Sequence, residues 1–426
     1  MTKREHVVII GGGFGGINCA RILRKSNLHV TIIDRNNHHL FQPLLYQVAT
    51  AALSAGDIAT PIRAVFSKQN NIDVLLGEVI DIFTDRRKIR LKDNRELTYD
   101  YLILAPGSRY NYFGNDQWSR HAPGLKSLAD ALNIRERILI SLEKAEQLQN
   151  PTHQQPYLNF VIIGGGPTGV EMAGAISEIV KRNMMRDYHY IRPEQSKIYL
   201  VEATSGILNG FSNQLSRRAQ ADLEKMGIDI LLNNPVTDVT SDGVALNDRF
   251  IKTTNIIWAA GVTASPLLDK LAAEKDRNGR IIVNSDLTVP GNPDIFVIGD
   301  AAHFVEEGKD QPLPALAPVA IQEGKYIGKL LKRRTPRHKR KPFKYIDKGT
   351  MATIGRAKAV AEIKNLRITG FPAWLAWSFI HIFYLIDFRN RFRVMLEWSW
   401  YYLTFRRGVR LITDRESIHW EKVKNG

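Results

Sequence analysis

At 426 residues, with 44% hydrophobic and 24% charged residues, the chain is an ordinary globular mixture long enough for two or three domains, which excludes disorder as the default. Its one cysteine, Cys19, excludes a structural disulfide within the chain, a C-x-x-C redox motif and a zinc or iron–sulfur site, so no metal is expected and any redox chemistry comes from a bound cofactor. A formal net charge of +16 calls for an anionic partner, whether nucleic acid, anionic lipid or an acidic protein, and where the charge sits decides which.

The first six residues are short and charged, and Val7, Val8, Ile9 and Ile10 read as a core strand that begins at once. No secretory signal is visible, and the expectation is a protein that stays in the cytosol. Gly11-Gly12-Gly13-Phe14-Gly15-Gly16 follows the strand directly and opens a small-residue helix, which meets the G-x-G-x-x-G spacing. In that pattern the first glycine makes a tight turn and the second lets backbone approach a pyrophosphate. The third lets helix and strand pack, and the helix N-terminus faces the anion. The next strand, residues 30–34, ends in Asp34 at the distance where a carboxylate can take a ribose hydroxyl. A glycine motif alone is weak evidence; strand, turn, helix and acid together point to a dinucleotide.

Shorter apolar strands stop at small-residue turns at 101–107 and 256–261, and residues 295–298 run into Gly299 and Asp300. Between the first two of these the opening pattern recurs over residues 160–180, around Gly164-Gly165-Gly166-Pro167-Thr168-Gly169. Glu202 closes the following strand after a polar stretch, 183–196, that reads as an inserted loop. A carboxylate there repels a 2'-phosphate and favours NADH over NADPH. The alternative, that Glu202 is a solvated strand end, stays open. Two such sites suggest a bound flavin and an exchanging nicotinamide, which narrows the chemistry to hydride transfer. The fold class is therefore α/β, with two Rossmann-like dinucleotide-binding domains.

Beyond about Lys332 the composition shifts. Lysine and arginine crowd residues 332–348 with only Asp347 against them, and an aromatic tail follows. Residues 371–386 hold Trp374, Trp377, Phe379, Phe383 and Tyr384 but also Pro372, Ser378 and His381, and fall short of the roughly 20 residues of a spanning helix. In residues 389–410, Arg393, Glu397, Thr404 and Arg407 share one helical face, interrupted by Trp400. Phe392, Met395, Leu396 and Leu403 share the other. This suits a monotopic anchor lying in one leaflet, with Arg389, Arg391, Arg393, Arg406, Arg407 and Arg410 toward lipid phosphates. A dimer interface or a buried helix pair is the alternative, and dimerisation could also widen the platform.

The Gly11–Gly16 turn, the block Phe41-Gln42-Pro43-Leu44-Leu45-Tyr46-Gln47-Val48-Ala49, the strand ending in Asp300 and the aromatic tail together resemble the type II, non-proton-pumping NADH:quinone oxidoreductases of respiratory membranes, over residues 7–413. The glycine motifs are shared by the wider two-dinucleotide-binding flavoprotein superfamily; the 41–49 block and the tail are the specific parts. The resemblance implies a discontinuous FAD-binding domain (1–154 and 276–340), an NADH-binding domain (155–275) and a C-terminal membrane-anchoring region of amphipathic helices (341–426). Non-covalent FAD would meet Gly11, Gly13, Phe14, Gly15, Gly16 and Asp34, with Val79 near the adenine, Ala105 and Gly107 at a strand end, and Gly299, Asp300 and Ala317 along the ribityl-pyrophosphate side. NADH would meet Gly164, Gly166, Pro167, Thr168, Gly169, Glu171, Glu202, Ala260 and Gly261.

By the same resemblance Glu171 lies near the nicotinamide–flavin contact, to orient NADH or relay a proton. Read from the residues alone, an acid two positions into a helix simply complements its N-terminus. Ala317-Pro318-Val319-Ala320-Ile321-Gln322 resembles the family's A-Q-x-A-x-Q quinone motif, with Pro318 in place of the first glutamine and Gln322 retained to donate to a quinone carbonyl. An ordinary helix start with an early proline is the alternative for this stretch. The implied partners are ubiquinone or menaquinone, an anionic membrane surface and a second copy of the chain, and not nucleic acid. The implied location is the cytoplasmic face of the cell membrane, held peripherally and without proton pumping. Disulfide-using flavoenzymes and sulfide:quinone oxidoreductases need a cysteine pair and are excluded. A soluble NAD(P)H-ferredoxin-type reductase, or a basic flavoprotein acting mainly as a binding protein, remains the competing reading.

Overall fold

The computed structural model describes residues 4–184, 187–386, 388–404 and 409–412. Arg406 and Arg407 of the tail lie outside the described residues, as do the side chains of Arg389, Leu403 and Thr404. In chain order, the elements that frame the glycine motifs and the tail are strand β1 (His6–Ile10), helix α1 (Phe14–Leu23), strand β2 (His29–Asp34), strand β3 (Asn159–Ile163), helix α2 (Pro167–Glu178), strand β4 (Lys197–Val201), helix α3 (Ala317–Lys332), strands β5 (Thr350–Gly355) and β6 (Lys358–Ile363), and helices α4 (Gly370–Tyr384) and α5 (Phe388–Thr404).

The first of two compact units comprises Met1–Leu40, Ala59–Arg109 and Val262–Lys348. Its six-stranded sheet places β1 between β2 and Tyr101–Leu104, all parallel, with Asn292–Val297 next in line. Val7, Val8 and Ile9 are fully buried, as β-branched strands covered on both faces must be. Helices α1 and α3 pack through small residues. A Cβ on Gly324 would lie 2.2 Å from the Gly15 carbonyl oxygen, and one on Gly328 would lie 2.9 Å from that of Cys19. This is the small-residue helix anticipated after the first motif, and Cys19 is part of its buried face.

The second unit comprises Phe41–Ile58, Tyr110–Gly261 and Gly349–Gly426. A four-stranded parallel sheet runs Ile228–Leu231, β4, β3, Asn255–Trp258, and reproduces the β–turn–α–β arrangement of the first. The 183–196 stretch is only partly loop: α2 runs on into a π-helical turn, Ile179–Met184, and a short 3₁₀ turn spans Pro193–Gln195.

The tail departs from the purely helical expectation. It opens with an antiparallel sheet of β5, β6 and Leu366–Thr369. The period-2 alternation that marks a half-exposed strand is missing because α2 packs on β5 and α4 on β6. The approach is close: a Cβ on Gly174 would stand 1.8 Å from the Ile354 carbonyl oxygen.

Helices α4 and α5 follow. Leu375, Phe379 and Phe383 on α4 and Phe392, Leu396 and Trp400 on α5 recur every four residues and are 50–71% exposed. Trp377 is not among the surface aromatics, contrary to the sequence reading. It is 1% exposed and faces inward with Val394 and Trp398, which removes its large apolar ring from water. No helix among the described residues is long and apolar enough to cross a membrane.

Gly174→Ala should force α2 and β5 apart and lower the unfolding free energy by about 2–3 kcal/mol in chemical denaturation. Wild-type stability in that variant would mean the contact is looser than drawn.

Candidate active site

Each unit presents the same device at the mouth of its parallel sheet. In the first, Gly11 adopts φ +103° under the Ala105 carbonyl, where a Cβ would sit 2.1 Å from the oxygen. A Cβ on Gly16 would sit 1.9 Å from the Gly11 oxygen. These two positions require glycine for packing. Gly13 differs, since nothing lies within 4 Å of where its Cβ would be. It caps α1 without a side-chain hydrogen bond, so the helix N-terminus keeps open N–H groups facing open space. The turn is held by Asp34, which accepts the Gly12 N–H at 2.6 Å and the Asn36 N–H at 2.7 Å.

The second unit repeats this with different residues. Gly164 has φ +110° against Ala259 and Ala260, a Cβ on Gly169 would lie 1.8 Å from the Gly164 oxygen, and Gly166 faces open space. Pro167 and Thr168 open α2, and Gly166 caps it with no side-chain bond. Glu202 is not a solvated strand end: it accepts the Gly165 N–H at 2.6 Å and both the N–H and hydroxyl of Thr204 at 2.9 and 2.8 Å. Gly261 at φ +69° ends the neighbouring strand beside Ala260, whose carbonyl takes the Trp258 indole N–H at 2.7 Å. In both units, then, the residues fit a dinucleotide: an uncapped helix N-terminus, room above the second motif glycine, and a pinned carboxylate at the end of the second strand.

Around the first turn the other expected positions fall in two groups. Asp300 accepts from the Ser108 hydroxyl, and Gly299 donates its N–H to Glu323 at 2.6 Å. Ala105 and Gly107 follow the Tyr101–Leu104 strand, and Gly107 at φ +73° faces open space. Val79, by contrast, sits in the apolar core with Val8, Ile10 and Ile33. Ala317 and Pro318 start α3, and Ala320 is buried beside Gly299, where an added Cβ would come 3.2 Å from the Ala320 methyl. Gln322 is already engaged: its amide donates to the Ile346 carbonyl and accepts the Ile346 N–H, both at 3.0 Å.

Two residues here gave no sequence signal. His39 is buried, holds the Gly12 carbonyl at 3.0 Å and sits edge-on to Phe14, with burial lowering its pKa to about 4, so the ring is neutral. Glu323 is 1% exposed, and burial raises its carboxyl to about 8 despite the Gly299 N–H.

Glu171 needs a correction. Helix α2 starts at Pro167, so Glu171 lies beyond the first turn, and no acidic residue occupies that turn. Its carboxyl instead turns to the Thr353 N–H at 3.5 Å. It lines a cavity of about 60 Å³ walled also by Tyr46, Gln47, Thr353, Trp377 and Trp398. Burial raises its pKa to about 8, slightly opposed by the Thr353 N–H, so the group is largely protonated at neutral pH. A hydrogen-bonded chain crosses the cavity. Trp398 Nε1 donates to Gln47 Oε1 at 2.7 Å, Gln47 Nε2 donates to the Tyr46 hydroxyl at 3.0 Å, and that hydroxyl pairs with Thr353 Oγ1 at 3.0 Å. Tyr46 and Gln47 stand in the block that carried the resemblance, but spacing alone assigned them no role.

A duplicated Rossmann-like fold with two open glycine turns defines a pyridine-nucleotide oxidoreductase. Residues 5–324 match the model for the pyridine nucleotide-disulphide oxidoreductases, and residues 348–407 that for the NDH2 C-terminal domain. Type II NADH:quinone oxidoreductase Ndh of Mycobacterium tuberculosis is 41% identical over 431 residues, covering 98% of this chain and 92% of the relative. NdhA of the same organism is 41% identical over 429 residues, covering 97% and 90%. NDH2 from Plasmodium falciparum, solved with NADH, has the same fold, with a TM-score of 0.88 at 21% identity over 97% of this chain and 100% of that one. The chain belongs to the type II NADH:quinone oxidoreductases. The disulphide of the wider family's name has no counterpart here: Cys19 is the sole cysteine, and burial pushes its thiol pKa up.

The glycines separate packing from binding. Gly166→Ala should keep stability within about 0.5 kcal/mol yet weaken NADH binding about tenfold or more by filling the approach to the pyrophosphate. Gly169→Ala should instead cost about 1–3 kcal/mol of stability. Denaturation and NADH titration of the two variants check the contrast; equal behaviour contradicts it.

Proposed function

We propose that this chain is an FAD-dependent NADH:quinone oxidoreductase that works at a membrane surface without pumping protons. The observation that carries the proposal is the duplicated open glycine turn, each pinned by its own carboxylate, in a chain of this family. The first unit holds FAD non-covalently through Gly11, Gly13, Phe14, Gly15, Gly16 and Asp34, with Gly299 and Asp300 beyond. The second holds NADH through Gly164, Gly166, Thr168, Gly169, Glu202, Ala260 and Gly261. Bound FAD supplies a two-electron carrier between nicotinamide and quinone.

The protein's own part is positioning and protons. Glu202 presents a carboxylate to a ribose that bears no 2'-phosphate, which selects NADH. The reaction NADH + H⁺ + quinone → NAD⁺ + quinol needs one proton beyond the hydride. Glu171, protonated up to about pH 8, stores a proton at the cavity where the quinone ring enters. Gln322 still has a second amide hydrogen to offer, but its bonds to Ile346 make it a brace for residues 322–346 first.

The α4 and α5 stripes are the membrane face. Each large apolar side chain inserted contributes roughly 1.5–3 kcal/mol, and each basic residue near an anionic leaflet about 1 kcal/mol. Six such side chains suffice for peripheral attachment on the cytoplasmic face, with pairing of two copies widening the platform. A ferredoxin partner would need only a basic patch, and nucleic acid, which can stack on Phe379 and Phe383, would leave the aliphatic Leu375 and Leu396 of the same stripe uncovered.

The test is steady-state turnover of the flavin-loaded protein with NADH and a short-chain quinone across pH. Turnover should fall as pH rises through about 8, where Glu171 loses its proton; Glu171→Gln should lower the plateau and remove that limb, while Glu323→Gln keeps the limb. An unaltered limb in Glu171→Gln would refute the proton role. Separately, Leu375→Glu with Phe379→Glu should abolish sedimentation with anionic vesicles while NADH-driven ferricyanide reduction persists. Undiminished sedimentation would show that the stripe is not the anchor.

A further inference from the structure

Two aromatic residues adjacent in the chain are treated in opposite ways at the edge of the second unit's sheet. Tyr112 is buried, lies 4.9 Å from the Trp258 ring and donates its hydroxyl to the Ala122 carbonyl at 2.9 Å. Phe113 is 63% exposed. Its backbone is left-handed at φ +52°, a conformation that a bulky side chain adopts only under strain. A glycine takes such a φ freely, as Gly114 beside it does at φ +88°. The position keeps a phenyl ring although the turn alone does not call for one.

The ring is held over one place. A Cβ added to Gly261 would stand 2.7 Å from the Phe113 Cζ. The backbone beneath it is pinned: the Phe113 N–H donates to Asn111 Oδ1 at 2.8 Å, the Asn111 carbonyl takes the Trp258 indole N–H at 3.0 Å, and the Asn111 N–H reaches the Gly261 carbonyl at 3.4 Å. Gly261 itself has a defined place in the sheet. The Gly164 turn follows β3 in the middle, Glu202 follows β4 on one side, and Ala260 and Gly261 follow strand Asn255–Trp258 on the other. A dinucleotide with its pyrophosphate over Gly166 and its adenosine ribose at Glu202 carries its nicotinamide half toward Gly261.

We infer that the Phe113 ring is a contact for the nicotinamide half of NADH, covering it where it passes over Ala260 and Gly261. This rests on the NADH reading above. A ring this exposed contributes little to the fold, and it gains from burial and stacking only when a flat partner covers it, which nicotinamide is. Holding the ring in place beforehand lowers the ordering cost of binding.

The test is Phe113→Gly in the full-length, flavin-loaded enzyme, with Phe113→Tyr beside it. The probe is ADP-ribose, which shares the adenosine half of NADH and has no nicotinamide. Removing the ring should leave Tm within a few degrees of wild type, because relief of strain offsets the added freedom of the unfolded chain. KM for NADH should rise about 3- to 10-fold, the worth of one aromatic contact. The inhibition constant of ADP-ribose against NADH and the KM for a short-chain quinone should not move. Phe113→Tyr, which keeps the ring, should restore the wild-type KM for NADH. An unchanged KM for NADH in Phe113→Gly overturns the inference. So does a loss of ADP-ribose affinity by the same factor, since the ring would then shape the whole turn and not meet the nicotinamide. A wild-type enzyme that ADP-ribose does not inhibit competitively against NADH would instead overturn the reading of the Glu202 site. Should the glycine variant lose its flavin, Phe113→Leu decides by the same comparison of NADH with ADP-ribose.

Discussion

One hydrogen bond, made once in each unit, sets up the chemistry: the carboxylate that ends the second strand takes the N–H of the middle motif glycine at 2.6 Å. Asp34 and Glu202 differ in length by one methylene and reach the same position, each with its other oxygen on the N–H two residues further along. Removing the acid would leave two backbone donors unpaired and free the turn. With the turn held, the first and last glycines pack closer than any Cβ allows, and Gly13 and Gly166 are left open at an uncapped helix N-terminus. An anion with two phosphates completes that arrangement better than any side chain of the protein does.

Helix α2 joins the second open glycine turn to the buried cavity within the second unit. Its N-terminus is the open dinucleotide turn, and further along the helix Glu171, Ala175 and Glu178, spaced four and three residues apart, share the face that lines the cavity. The tail packs directly on this helix. Gly174 permits β5 to approach, Thr353 donates to Glu171, and the Arg356 N–H donates to Glu178. Because α4 and α5 continue from the same small sheet, the apolar stripe and the protonated carboxyl are parts of one packed body. Burial is what leaves the proton on Glu171, and the Thr353 N–H, which favours the ionised form, opposes it only slightly.

The parts legible in the sequence were those imposed by backbone geometry. Glycines that must be glycine, an acid closing a strand and a buried β-branched run leave marks at fixed spacing, so both turns, Asp34, Glu202 and the strands around them were readable residue by residue. What the sequence did not carry was anything decided by distant partners. The β5–β6 sheet lacks alternation because both of its faces are covered. Trp377 looked like a membrane aromatic until the sheet beneath α4 drew it inward, and Gln322 looked free until Ile346 closed on its amide. His39 and Glu323 act through single backbone contacts to Gly12 and Gly299 and leave no motif at all. The helix start was misplaced by about one turn at Glu171, which turned a cavity carboxyl into an apparent dipole partner.

The most direct test of the account is an anaerobic titration of the purified, full-length protein followed by its flavin absorbance. The account predicts that a stoichiometric amount of NADH bleaches a bound FAD, that NADPH does so far more weakly, and that a stoichiometric amount of quinone then restores the absorbance while quinol appears. A protein without flavin, or a reduced flavin that quinone fails to reoxidise, would contradict it.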